Sequence, residues 1–540
     1  MRRKWHDSVP IMRLSRVPMS SKKLFRALAA TLGLALPLAA AHAQPARAVV
    51  ADMSAREGPR ALFWRDSIGA DHGPLMLRPP NQGQLRLVHR ELGFEYLRFH
   101  GIFTHTHVYH ESHGRAVYDF STVNAIYAAV LNAGMKPFVE ISFMPEALAT
   151  GHETIFYYTA NGSPPKDYGK WAALISAFIH DLEARFGRTE VASWRFEVWN
   201  EPNLDGFWTR GDQQAYFHLY DVTVRAIKAV DPALAVGGPA TAGAAWIPEF
   251  LAHARTAGVP VDFVTTHTYG VNGGFLDAEG HNDVELSRDP DSIVDDVLRV
   301  RRQVDAAGLA HTPIYFTEWS TSYNPRDPVH DAYISAPYIL EKLRRVAGSV
   351  QAMSYWTYTD LFEEAGPPPA SFQGGFGIVN REGIRKSAFF AYKYLDELGP
   401  EMLRNPDPES WLTRDGGSFS GLMWNYTPPR QTVGDRSYFR RLHAAKALAP
   451  VSLEIRHLRP GTYALSVFRT GYRHNDAYSQ YIEWGLPANL TREQIALLQH
   501  LTRDQPEQAT IHVGANGRFE RSIPMHANDV VLIKLRQVSG

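Results

Sequence analysis

The 540-residue chain has no cysteine. Disulfides, thiolate metal sites and cysteine nucleophiles are therefore excluded together. It has no net charge either, because 56 basic and 56 acidic residues cancel. A general electrostatic footprint for nucleic acid or an anionic membrane is thus missing. Beyond the N-terminal region no apolar run is long enough to cross a bilayer. What remains is ordinary for a globular protein, with 44% hydrophobic and 21% charged residues. The length suits one large domain plus a smaller one. Aromatics make up 12% of the chain, including 12 Trp and 24 Tyr, a generous share that a core and a sugar site can both use and that composition does not divide between them.

The N-terminus carries a basic lead (Arg2, Arg3, Lys22, Lys23, Arg26), an apolar run from Ala27 to Ala40, and Ala41-His42-Ala43, an A-x-A pattern. This order reads as a bacterial Sec-type signal peptide over residues 1–43. Cleavage after Ala43 would leave a periplasmic or secreted protein free of the membrane. Gly33, Pro37 and the shortness of the run weigh against a retained anchor. The lead is long, which makes Met12 and Met19 alternative starts.

From about Ala61 to Tyr394, short apolar runs alternate with helical patterns, the mark of an α/β fold. Eight strands are expected, at 61–64, 96–99, 137–143, 194–199, 235–238, 263–266, 314–317 and 352–356. Eight units over this span predict a (β/α)8 barrel at residues 44–395, whose active site would sit at the C-terminal strand ends. The Gly/Pro-rich stretches 270–290 and 362–376 should wall the pocket. After Leu395 short strands separated by turns predict an accessory β-sandwich at 396–540, interrupted by one helix over 491–502.

Two strand ends carry chemistry. Trp194-Arg195-Phe196-Glu197-Val198-Trp199-Asn200-Glu201-Pro202 is a buried strand that stops at a proline unable to join a ladder. Ile314-Tyr315-Phe316-Thr317-Glu318-Trp319 repeats the design. A lone buried glutamate is usually a structural ion-pair partner. Two of them at the ends of different barrel strands, ringed by aromatics, suit cleavage of a glycosidic bond. His267 and Tyr269 share one face of the sixth strand and favour pocket positions. His100, at the end of the second strand, is nearly as well read as a packing residue. The run His105-Thr106-His107-Val108-Tyr109-His110 offers a rival, a metallohydrolase combining His105, His107, His267 and Asp360. Its H-x-H pair falls in a loop past the second strand rather than in the first, so solvated histidines are the favoured reading. No metal or other cofactor is expected.

These stretches resemble glycoside hydrolase family 39, which includes bacterial β-xylosidases and α-L-iduronidases. The likeness rests on Tyr96–Gly101, Phe138–Pro145, Phe196–Trp208 with its FEVWNEPN run, Asp262–Tyr269, Thr317–Tyr323 and Ser354–Gly377. The resemblance implies a retaining exo-glycosidase, with Glu201 as acid/base and Glu318 as nucleophile. It also implies sugar contacts by His100, Asn200, His267, Tyr269, Tyr323, Trp356 and either Glu363 or Glu364. The expected partner is an oligosaccharide and the expected activity is β-D-xylosidase. An α-L-arabinosidase or uronidase is the alternative on the same fold, and a non-catalytic carbohydrate-binding protein the alternative from another class. Gln373 departs from the pattern, standing where the xylosidases tend to have histidine. On this reading the Glu318 anion raises the pKa of Glu201, and glycosylation of Glu318 lets it fall.

Overall fold

A computed structural model describes residues 47–539. The signal-peptide reading lies outside them. Eight parallel strands close into a barrel: β1 (Ser67–His72), β2 (Tyr96–His100), β3 (Lys136–Ile141), β4 (Arg195–Val198), β5 (Ala235–Thr241), β6 (Phe263–Tyr269), β7 (Ile314–Ser320) and β8 (Ala352–Tyr355). A long helix follows each strand: Pro79–Leu92, Ser121–Asn132, Tyr168–Phe186, Gln213–Val230, Ile247–Ala257, Val294–Ala306, Ser335–Val346 and Ser387–Asp396. Among the described residues no helix is long and apolar enough to cross a membrane.

The barrel interior is layered by the two-residue period of its strands. At the bottom, Phe138, Phe263 and Tyr315 meet edge to face at 5.4–5.7 Å. The Arg195 guanidinium lies 4.0 Å from the Tyr96 ring centre and 4.5 Å from that of Tyr315. Two residues further along β2, β3 and β4 come Arg98, Glu140 and Glu197, all buried. An aromatic floor thus carries an ionic layer, and the reactive mouth stands on that.

β1 is not the expected run. Residues 61–64 precede it as a turn, while the strand is Ser67–His72. Phe63 and Trp64 are buried for another reason, since Trp64 packs on Trp411 at 5.7 Å. The true strand is small and polar because Trp356 fills its inner side. A Cβ on Gly69 would sit 2.2 Å from Trp356 Cε3.

The C-terminal region forms two sheets, and the chain's beginning joins them. Arg47–Asp52 pairs in parallel with Ala447–Arg456, and Arg56–Pro59 pairs with Glu401–Leu403. The segment 47–59, assigned to the barrel by sequence, therefore belongs to the sandwich. Its alternating Val49 and Ala51 complete a core with Leu453, Ile455, Ile533 and Leu535. The opposite face of the larger sheet turns Trp411, Leu422 and Trp424 into the core of the barrel. The helix at 491–502 is present as Arg492–Leu501, started by a capping box of Thr491 and Gln494.

Candidate active site

Glu201 is held by backbone geometry. β4 ends at Val198, and Trp199 and Glu201 follow with φ of 73° and 45°, in the region side chains avoid. Glu201 N donates to Ala240 O at 2.8 Å, and Trp199 Nε1 donates to Phe207 O at 2.9 Å, so neighbouring structure enforces the turn. The carboxylate enters the mouth of the barrel beside His267, whose Nδ1 lies 2.9 Å from Glu201 Oε1. His267 Nε2 faces an Arg98 donor at 3.5 Å, which makes Nε2 the acceptor and leaves Nδ1–H to donate to Glu201.

Glu318 reaches the same place from β7 by a local irregularity. Thr266 pairs with Phe316 but His267 pairs with Glu318, so β7 holds one extra residue there. The bulge turns both Thr317 and Glu318 inward. Thr317 Oγ1 donates to Glu197 at 2.8 Å. Glu318 is held at both oxygens, Oε1 by Arg98 Nη1 at 2.7 Å and Oε2 by the Tyr269 hydroxyl at 2.7 Å. One oxygen of Glu201, one of Glu318 and a His267 nitrogen all lie within 4.8 Å of one another.

Arg98 organises the layer beneath. Besides Glu318 it donates to Glu197 at 2.6 Å and Asn200 Oδ1 at 2.9 Å, and it pairs with Glu140 at 2.8 Å. A fully buried guanidinium persists only when its donors are met this completely. Glu140 also takes His100 Nδ1 at 2.7 Å, and the other His100 nitrogen lies 3.2 Å from Glu364. Arg98, Glu140 and Glu197 were not singled out as site residues from sequence. The available signal was a charged residue in the middle of three apolar strands.

Burial is the largest influence on Glu201 and pushes its carboxyl up to about 7, with Glu140 adding and His100 and Arg98 opposing. The expected lifting by Glu318 is not among the principal causes; burial is the first of them. Burial likewise pushes Glu364 up to about 8, against the opposing pull of His100, and lowers His267 to about 4, leaving it neutral. Burial opposes charge on His100 too. There the neighbouring carboxylates of Glu140, Glu364 and Glu318 win, and its pKa rises well above the ordinary value.

The other sequence candidates divide. Trp356 lies under the site, 4.6 Å from the His100 ring and 5.6 Å from the Arg98 guanidinium, measured between centres. Tyr323 stands at the rim, 46% exposed, with its ring edge-on to Tyr269 at 6.3 Å. Glu364 joins His100, whereas the Glu363 carboxylate is turned away into an ion pair with Arg78. Gln373 Oε1 is buried and accepts no hydrogen bond among the described residues. The wall at 270–290 contains a small hairpin, Phe275–Leu276 against Asn282–Asp283. The rival metal set does not assemble: His105 and His107 are exposed, and Asp360 is taken by Lys386 at 2.6 Å.

A barrel with two buried carboxylates that meet from the ends of its fourth and seventh strands, one protonated near neutrality and one held at both oxygens, has the equipment of a retaining glycoside hydrolase. The comparisons agree with this class. The family model for glycosyl hydrolases family 39 matches residues 49–520. A β-xylosidase from Geobacillus stearothermophilus is 34% identical over 484 residues, covering 88% of this chain and 93% of that protein. A solved monomeric β-xylosidase from Caulobacter crescentus CB15 is 52% identical with a TM-score of 0.89, covering 92% of this chain and 100% of that one. The solved family 39 enzyme from Xanthomonas axonopodis pv. citri is 48% identical with a TM-score of 0.90, covering 93% and 100%. The chain belongs to glycosyl hydrolases family 39.

Proposed function

We propose that this protein is an exo-acting β-D-xylosidase that trims xylo-oligosaccharides by double displacement, with Glu201 as acid/base and Glu318 as nucleophile. The observation that carries the mechanism is the closeness of the two carboxylates, with oxygens within 4.8 Å. Retaining chemistry needs carboxyl groups about 5–5.5 Å apart, whereas inversion needs about 6.5–9.5 Å to admit a water. Glu318 attacks the anomeric carbon while Glu201, still protonated, gives its proton to the departing glycosidic oxygen. Water then attacks the anomeric carbon of the glycosyl–Glu318 ester, giving its proton to Glu201 as the bond to Glu318 breaks and releases that residue as a carboxylate.

The β-xylosidase names of the relatives support the choice of sugar, and so does the full commitment of Arg98 at the centre of the site. A uronidase must offer the substrate carboxylate a free cation. Arg98 is locked by Glu140, Glu197, Glu318 and Asn200, so its donors are spent. A panel of aryl glycosides of xylose, arabinose, galactose, glucose and iduronic acid tests the assignment. The xyloside should lead, and a background xyloside rate beside a strong uronide rate would overturn it. A purely binding protein would turn over none of them, and a metal-dependent one would lose activity on exhaustive chelation. We also propose export to the periplasm or beyond, on the A-x-A leader; the mature protein should begin at Gln44 on N-terminal sequencing.

A further inference from the structure

A second groove, of about 520 Å3, opens away from the active site between the connection after β7 and the stretch 427–448 of the C-terminal region. The half-buried Tyr333 and Tyr438 contribute aromatic surface, while Tyr478 is buried against Phe372 and Tyr481, and Arg430, Arg441 and Lys446 are among the groove's lining residues. Among the described residues no aspartate or glutamate lines it. The stretch 430–446 carries five cations (Arg430, Arg436, Arg440, Arg441, Lys446) against one acid, Asp435, in a chain that is neutral overall.

Asp435 does not offset them, because it is buried and accepts Leu286 N at 2.9 Å. Nearby carboxylates are also committed, Asp529 to Arg469 and Glu483 to Arg473. Among the described residues Arg430, Arg441 and Lys446 have no ion-pair partner, and all three are exposed. The aromatic wall is fixed: the Tyr333 hydroxyl donates to His443 O at 2.8 Å, and the His443 ring stacks on Tyr438 at 4.0 Å.

We propose that this groove is a second carbohydrate site for an acidic glycan, a chain bearing uronate carboxylates. Tyrosine faces take the C–H surface of pyranose rings, and unpartnered cations around an apolar floor take the carboxylates. The choice of a glycan rests on the glycosidase reading. The choice of an acidic one rests on the charge of the lining residues. The groove is also tied to the active-site rim. The helix Asp435–Phe439 contributes Tyr438 to the groove and donates Arg436 N to Asp283 at 3.0 Å. Asp283 belongs to the hairpin whose cleft includes Tyr323. A polymer held in the groove would raise the concentration of its chain ends at the mouth of the barrel.

Native affinity electrophoresis of the intact protein tests this, in gels containing xylan with glucuronate branches or the same polymer after carboxyl reduction. Saturating xylose keeps the active site occupied in both. The acidic polymer should retard the protein more than the reduced one. Arg441→Ser/Lys446→Ser should weaken that retardation roughly tenfold while leaving aryl glycoside turnover unchanged. Equal retardation by the reduced polymer, no effect of the double substitution, or equal retardation by DNA would each overturn the proposal. Absence of aryl glycoside turnover would instead overturn the glycosidase reading, whatever the gels show.

Discussion

Tyr269 and Glu318 are joined by a 2.7 Å hydrogen bond, made to the carboxylate oxygen that Arg98 does not hold. The Glu318 carboxylate, the proposed nucleophile, is therefore aimed from two directions, by a phenol on β6 and a guanidinium on β2. Aim of this kind acts chiefly in the transition state, where orientation and the distribution of carboxylate charge decide the barrier.

Replacing Tyr269 with Phe removes one donor and little volume. We expect kcat to fall roughly 10- to 100-fold, about 1.5–3 kcal/mol, with KM nearly unchanged. Steady-state kinetics on an aryl xyloside checks this, and an unchanged kcat would show that the bond does not act on the reaction.

Glu201 should set the basic limb of the pH profile near 7, where its proton is lost. Glu201→Gln should abolish that limb with a leaving group that needs no protonation. Stability follows from the same shift. The folded pKa of about 7 lies above the ordinary 4.5, so the folded state holds the proton more tightly. That contribution is complete below about 4.5 and is lost as pH rises through about 7, at most about 3 kcal/mol. Glu201→Gln should therefore gain on the wild type in urea midpoint between pH 5 and pH 8. A constant difference would contradict the assignment.

Azide separates the two carboxylates by stereochemistry. In Glu318→Ala it should attack once in the space left by the nucleophile, giving an α-glycosyl azide from a β-glycoside. In Glu201→Ala the intermediate on Glu318 still forms, and azide should release it from the leaving-group side as the β-glycosyl azide. Product NMR reads the outcome; the reverse pattern would exchange the two roles.

Arg98→Met should be costly to the fold as well as to the rate. It leaves Glu140, Glu197 and Glu318 buried without their shared cation. A loss of about 3–5 kcal/mol is expected. A urea unfolding series measures it, and a loss below 1 kcal/mol would mean that those carboxylates are already neutral or solvated.

The barrel and the strand-end positions of Glu201 and Glu318 were legible in the chain for physical reasons. Strand–helix alternation sets the fold class, and Pro202 marks the end of β4, so Glu201 had to lie at a strand end. Period-two alternation also placed His267 and Tyr269 on one face, which the structure shows. β1 was misplaced because apolar runs mark burial, not strand pairing. Phe63 and Trp64 are buried in a turn, while the true strand is depleted of large residues by the Trp356 ring against Gly69.

Local pattern could not show what depends on contacts between distant segments. Alternation from Tyr315 and Thr317 would send Glu318 outward, and only the bulge against β6 turns it into the barrel. Glu363 and Glu364 are equivalent as letters, and Arg78, 285 positions away, is what draws one of them out of the site. The N-terminal strands read as part of the barrel because nothing local announces a partner 400 residues on. Composition and periodicity thus determined the architecture and the strand ends where chemistry could reside. Register, long-range ion pairing and desolvation decided which carboxylates meet there and which of them keeps its proton, because each depends on neighbours that only the folded chain supplies.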